Sequence, residues 1–331
     1  MLPLVGAESL FRISVTRLAP LLPPERIFVV TGADYVDGLR ADVPELPAAN
    51  FIVEPFGQDS GPAAALGVAT IAKRDPQALI AILTADHYIR DVWAFCEALR
   101  AAYTVAADGY IVTLGVQPSA PATGFGYIQR GEVLRQVGDW PIYHSAGFKE
   151  KPNLETAQQF LQSGLYAWNS GMFIWSAERA LAEFAAQQPK LYAPLMAIQA
   201  ALGTPEAQTI LAQKWRELPK ISLDYAVMEK AERMAMIPID IGWTDIGSWE
   251  AVYDELCANP QANVQMGGGQ SLTIDTRGTL VNSSRLVITI GVQDLVIVDT
   301  DDVLMVCGRG ASQDVKQAVQ YLKDHGLEQY L

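Results

Sequence analysis

The 331-residue chain predicts an α/β fold: a Rossmann-like doubly wound, mostly parallel sheet, followed by a small β-rich domain. Three observations carry that prediction. Short, continuously apolar runs alternate with helical segments through the first two-thirds, the pattern of parallel strands buried on both faces. Hydrophobic residues make up 50% of the chain and charged residues 18%, a globular balance with ample material for a covered sheet. Beyond about Asn259 the helical spacing gives way to brief β-rich runs separated by turn residues.

Residues 8–18 place Leu10, Phe11, Val15 and Leu18 at helical spacing. Residues 26–31 read as a buried strand bounded by prolines and Gly32. A second strand spans 51–54 and an alanine-rich helix spans 61–73, with Pro62 in its first turn and Ser60 or Gly61 as its cap. A third strand (79–83), a helix (92–107) and a fourth strand (110–116) follow. Pro260 and Gly267-Gly-Gly269 read as a linker-like break, dividing the chain into 1–259 and 260–331. Past it, short strands are expected at 271–275, 279–281, 286–290, 295–298 and 303–306, then an amphipathic helix at 312–325. This second domain offers no cluster of His, Asp and Glu, so packing or oligomerisation is its expected role.

A formal charge of −13 argues against nucleic-acid and anionic-membrane partners, which need a basic surface. It leaves a nucleotide substrate open, because a divalent metal can sit between carboxylates and polyphosphate. No apolar run approaches membrane-spanning length, and no basic n-region precedes an apolar stretch at the start. Cys96, Cys257 and Cys307 lie far apart without metal-ligand spacing, which suits buried thiols in a reducing cytoplasm.

Several segments could carry chemistry, each with a plainer alternative. Asp86 follows the third strand, where this fold binds ligands; it is a candidate metal ligand or a simple cap. Trp243-Thr-Asp245-Ile-Gly247-Ser-Trp249 offers a second carboxylate, or just an aromatic-rich turn and helix start. Two carboxylates with phosphate oxygens and water would suit Mg²⁺. Lys151, in Phe148-Lys-Glu-Lys-Pro152, is a flexible point charge able to reach phosphate, or an ordinary surface lysine. Asn169 and Ser170 interrupt an apolar strand and must satisfy their hydrogen bonds with a ligand or with backbone. Gly124 and Gly126 flank Phe125, allowing close approach by a ligand or a bulged turn. Glu54-Pro55, followed by Ser60-Gly61-Pro62, joins a strand end to a helix start whose amides could receive a base or phosphate.

In sequence order, Asp86-His87, Thr123-Gly-Phe-Gly-Tyr127, Glu150-Lys-Pro152, Trp168-Asn-Ser-Gly171, Ser222-Leu-Asp-Tyr225 and Gly242-Trp-Thr-Asp-Ile-Gly-Ser-Trp249 resemble the blocks of the mannose-1-phosphate guanylyltransferase family. The resemblance covers nearly the whole chain. It implies that mannose 1-phosphate and GTP give GDP-mannose and pyrophosphate with Mg²⁺. On that resemblance Asp86 and Asp245 are the metal carboxylates and Lys151 neutralises the sugar phosphate. Glu150, Asn169 and Gly124 contact the mannose, and Glu54, Ser60 and Gly61 lie on the nucleotide side. A homodimer and a cytoplasmic setting are compatible with it.

The family's G-G-x-G-x-R loop is expected to precede Met1, since Met1-Leu-Pro-Leu-Val-Gly6 resembles the stretch after it. Turnover by these residues alone is therefore expected to be poor or absent. Gln58-Asp-Ser-Gly-Pro62 departs from the family's usual Asn-Thr-Ala-Pro, and Leu83-Thr-Ala-Asp86 from its usual residues before the aspartate. The rival readings are a non-catalytic sugar-nucleotide-binding regulatory homologue and a pyrophosphorylase for another hexose 1-phosphate.

Overall fold

A computed structural model of the chain describes residues 3–330; the first two residues of the Met1–Gly6 stretch lie outside that range. The elements begin with α1 (Leu10–Thr16), β1 (Val29–Gly32), α2 (Val36–Asp42), β2 (Phe51–Glu54), α3 (Ser60–Arg74), β3 (Leu79–Ile82) and β4 (Tyr88–Ile89). There follow α4 (Val92–Ala106), β5 (Ile111–Val116), β6 (Tyr127–Val137), β7 (Trp140–Lys149), α5 (Leu154–Ser163) and β8 (Tyr166–Ser176). Next come α6 (Ala177–Gln187), α7 (Pro189–Ala201), α8 (Ala207–Trp215), α9 (Leu223–Ala226), β9 (Met234–Ile239), β10 (Trp243–Thr244) and α10 (Trp249–Leu256). The chain finishes with β11 (Val264–Met266), β12 (Ser271–Ile274), β13 (Leu280–Asn282), β14 (Val287–Ile290), β15 (Leu295–Asp299), β16 (Leu304–Gly308) and α11 (Val315–Asp324). Among the described residues no helix is long and apolar enough to cross a membrane.

Two compact units form: residues 11–85 with 89–243, and residues 3–10 with 86–88 and 244–330. The first holds a six-stranded sheet in the order β3-β8-β5-β9-β7-β6. β5 and β9 are parallel, while β8 opposes β3 and β5, and β7 opposes β9 and β6. Four strands therefore run one way, and the two exceptions are β7 and β8. Strands β1 and β2 pair in parallel as a separate two-stranded sheet.

Alternation along the strands feeds two cores, which makes the sheet doubly wound. Ile111, Phe173, Trp175 and Met234 pack with side chains of α3, α6 and α7. Val112, Leu114, Met172, Ile174, Ala235 and Ile237 face the other way, onto α4. Burial on both faces gives β8 the continuously apolar look of a parallel strand, which is why its opposed direction does not show in its sequence.

Element boundaries shift where local hydrogen bonds decide them. The strand expected at 26–31 starts at Val29, because residues Pro24–Arg26 form a 3₁₀ turn. Helix α3 begins at Ser60, and its cap is Asp59 rather than Ser60 or Gly61; the Asp59 carboxylate accepts from the Ser60 amide at 2.7 Å.

The second unit is a parallel coil. Val264 pairs with Leu280, Leu280 with Val296, and Ser271 with Val287, so each turn returns after sixteen residues. Its core joins Val5, Ile246, Val252, Tyr253, Leu280, Val296 and Val298. Antiparallel β16 closes the ladder. The glycines read as a linker belong to this coil instead. A Cβ on Gly267 would stand 2.6 Å from the Ser283 nitrogen, and one on Gly269 would overlap the Arg285 carbonyl. Glycine is required there because successive turns approach too closely for a side chain.

Candidate functional site

Strand β7 leads directly into the segment that holds Glu150 and Lys151. Directly after Lys149, the chain turns so that Glu150 points inward, only 7% exposed, while the Lys151 side chain stays 59% exposed. Lys151 Nζ lies 3.4 Å from Glu150 Oε1. Glu150 Oε2 is buried and finds no hydrogen-bond partner among the described residues. Burial, then the nearby Asp224 charge, pushes the Glu150 carboxyl above its usual value, against the pull of Lys151. An acceptor in that state suits a donor arriving with a ligand, such as a sugar hydroxyl. The same oxygen occupies the space a side chain at Gly126 would need. Around Gly124, by contrast, a Cβ would meet nothing within 4 Å among the described residues. Between the two glycines Phe125 packs edge-on against Trp168 and Trp243, at 5.1 and 5.6 Å.

Asn169 sits in β8 with its amide held at both ends. Its Oδ1 accepts from the Gly171 amide at 3.0 Å, and its Nδ2 donates to Asp224 Oδ1 at 2.8 Å. Its own backbone N–H donates to the Gly126 carbonyl at 2.8 Å. Ser170, alongside, donates its hydroxyl to the Leu114 carbonyl at 2.7 Å, so backbone satisfies that member of the Asn169–Ser170 pair. Burial raises the Asp224 carboxyl as well, while a backbone hydrogen bond and the Asn169 donor lower it. Glu229 accepts from the Glu150 amide at 3.2 Å, so three carboxylates gather about Asn169 and Lys151.

The proposed nucleotide segment lies at the end of β2 and the start of α3. Glu54 Oε2 is buried without a hydrogen-bond partner among the described residues, and burial raises its carboxyl. Ser60 Oγ accepts from the Leu223 amide at 3.0 Å, and the Gly61 amide donates to the Ile221 carbonyl at 3.0 Å. These two groups thus fasten the helix start to the turn that carries Asp224. A Cβ on Gly61 would lie 2.5 Å from that same carbonyl, which explains the glycine.

Asp86 and Asp245 both fall in the second unit. The pairing of β4 with β10 brings their segments alongside each other, since Asp86 shortly precedes β4 and Asp245 directly follows β10. Asp86 is 81% exposed and has His87 Nε2 at 3.8 Å; α4 is capped by Asp91, not by Asp86. Asp245 Oδ1 accepts from the Gly247 amide at 3.3 Å, and α10 is capped by Ser248. Neither carboxylate is consumed as a helix cap. Among the described residues no group of three or more His, Cys, Asp and Glu is arranged to hold a metal. A two-carboxylate donor set fits a hard divalent cation that takes its remaining ligands from phosphate and water.

Positive φ occurs in these segments as well as at Arg233, Asp275 and Asp294 outside them. Asp59, Lys151 and Ile246 adopt φ values of 74°, 43° and 48°, in the left-handed region that side-chain-bearing residues avoid. For β-branched Ile246 this conformation is costly. Sequence reasoning did not single out Asp224 individually, and it named Gly126 only together with Gly124. The signal for Asp224 lay in the Ser222-Leu-Asp-Tyr225 block; Gly126 was visible as the second glycine of Gly124-Phe-Gly126.

Residues 1–261 match the nucleotidyl transferase family, and residues 269–322 match a MannoseP isomerase/GMP-like β-helix domain. A mannose-1-phosphate guanylyltransferase of Klebsiella pneumoniae is 37% identical, over 99% of this chain and 70% of its own length. One from Escherichia coli matches at the same identity and coverage. Among solved structures, one described as a mannose-1-phosphate geranyltransferase from Thermus thermophilus superposes with a TM-score of 0.84 at 33% identity, covering 95% of this chain and 89% of that one. Such agreement along almost the whole length places the chain in the nucleotidyl transferase family, as a member of its mannose-1-phosphate guanylyltransferase group.

Proposed function

We propose that this protein transfers the guanylyl group of GTP to mannose 1-phosphate, giving GDP-mannose and pyrophosphate. The observation that carries the reading is the buried, unpartnered Glu150 Oε2 beside Lys151 and the clamped Asn169 amide. Together they offer an acceptor, a cation and a fixed amide: groups suited to sugar hydroxyls and a phosphate. A sugar-phosphate oxygen attacks the α-phosphorus in line. That nucleophile is already anionic, so positioning and charge neutralisation do the work and no general base is required. Lys151 neutralises the sugar phosphate, and Glu150 and Asn169 orient the ring. Gly124 lets the ligand lie against open backbone. Glu54, Ser60 and Gly61 form the nucleotide side, Ser60 and Gly61 by fixing the start of α3. Asp86 and Asp245 would hold Mg²⁺, which when bound offsets repulsion between the phosphates.

The test is a radiolabelled assay sensitive to slow turnover, offering GTP, ATP, UTP and dTTP with mannose and glucose 1-phosphates. Mg²⁺-dependent preference for GTP and mannose 1-phosphate, lost in D245A, is the expected result. Indifference to the sugar or the base would overturn the substrate assignment. GDP-mannose binding that neither depends on Mg²⁺ nor changes in D245A would instead favour a regulatory homologue. A domain division at 259 and 260, a homodimer and a cytoplasmic setting belong to the same reading. Limited proteolysis and light scattering test the first two.

A further inference from the structure

We infer that Asp224 is a positioning residue for the sugar side, setting the orientation of the Asn169 amide and tying it to the start of α3. This rests on the reading that Asn169 contacts the sugar. The two ends of an asparagine amide are nearly equal in shape, so neighbours decide which end faces a ligand. Gly171 donates to Asn169 Oδ1 at 3.0 Å, and Asp224 Oδ1 accepts from Nδ2 at 2.8 Å. With both contacts made, one N–H and one lone pair remain for a ligand in fixed directions. Without the Asp224 acceptor, a single bond to Gly171 leaves the amide rotation broad.

Asp224 can do this only if its own turn is rigid, and α9 is a single four-residue turn, too short to hold itself. Its order comes from neighbours. Ser222 caps it through the Tyr225 amide at 3.4 Å, Ser60 Oγ accepts from Leu223, and Gly61 donates to Ile221. The close approach at Gly61 completes the fastening. One polar strut, from Ser60 and Gly61 through residues 221–224 to Asn169, thus joins the nucleotide segment to the sugar segment within one unit. The role requires an acceptor oxygen and not a charge, so an amide at 224 should serve.

The test compares D224A, D224N, N169A and the D224A/N169A pair, with D224S standing in if D224A fails to fold. D224A is expected to raise KM for mannose 1-phosphate about tenfold while KM for GTP stays within about twofold. In the N169A background it should add nothing, because the two residues act as one unit. D224N should stay within about threefold of the parent. A spectrum of protein labelled with ¹⁵N-asparagine, with the Asn169 side-chain signals assigned by their loss in N169A, should show those signals move in D224A and hold in D224N. Full persistence of the D224A defect in N169A, or D224N as damaging as D224A, overturns the inference. If the parent protein neither turns over nor binds mannose 1-phosphate, the functional reading fails separately. Asn169 signals unchanged in D224A then still refute the positioning role.

Discussion

Replacing Gly126 by alanine sets a methyl group where the Glu150 carboxylate stands. The added Cβ would come under 3.0 Å from Glu150 Oε2, with Asn169 Cβ at 3.3 Å and Phe148 Cζ at 3.4 Å. Relief requires the carboxylate to retreat by roughly 1 Å to reach normal contact. Glu150 is 7% exposed, and Asn169 and Phe148 close two sides of the space, so the carboxylate cannot shift without disturbing its neighbours. Overpacking of this kind costs about 1–3 kcal/mol. In a domain of roughly 200 residues each kcal/mol lowers Tm by about 2–4 °C. If the same energy is lost from sugar-phosphate binding, KM rises by roughly fivefold to 150-fold. G124A is the control, because its methyl group meets open space and should leave Tm unchanged. Thermal unfolding without ligand, beside steady-state kinetics, reads both effects. Wild-type Tm and KM in G126A, or an equal Tm loss in G124A, would refute the packing argument.

Glu150, raised by burial, binds its proton more tightly folded than unfolded, so its contribution to stability falls as pH rises from 4.5 through the higher folded value. E150Q should therefore melt above the parent at neutral pH and converge with it below pH 4.5, as a Tm series against pH will show. Asp299 behaves oppositely. Side-chain hydrogen bonds from Arg285 and then Ser283 hold it at about 2, below the ordinary 3.8. Its stabilisation is present above 3.8 and lost as pH falls towards 2, so D299N should destabilise the coil at neutral pH and match the parent in strong acid. Circular dichroism along an acid titration checks this. G61A should destabilise by about 1–3 kcal/mol in denaturant unfolding, since the Ile221 carbonyl is backbone and cannot swing aside. G38A, in the open interior of α2, should instead stabilise by about 0.5–1 kcal/mol.

Much of the first unit was legible because its signals are local. The runs at 51–54, 79–83 and 110–116 became β2, β3 and β5 with small changes at their ends, as apolar continuity and flanking turns require. The direction of β8 was not legible, since a strand buried on both faces has the same composition whichever way it runs. Gly267 and Gly269 misled for a related reason: glycine enforced by a close neighbour looks like glycine in a loose linker. At the candidate site, residue type and place single out Lys151 and Asn169 in the sequence. The dependence of Asn169 on Asp224 joins residues far apart in the chain, and no spacing rule reports it.

The sixteen-residue return of the coil from β11 to β15 sets a rule for how that unit can change length. One residue inserted at the start of β13, directly ahead of Leu280 and not taken up by a turn, would put Leu280 on the opposite face. Sixteen inserted residues would add one more rung and leave the rest in step, because each turn touches only its neighbours. The unit is therefore quantised: it can grow or shrink by whole turns between α10 and the closing strand β16. Intermediate lengths keep the ladder only where a turn between strands takes up the surplus.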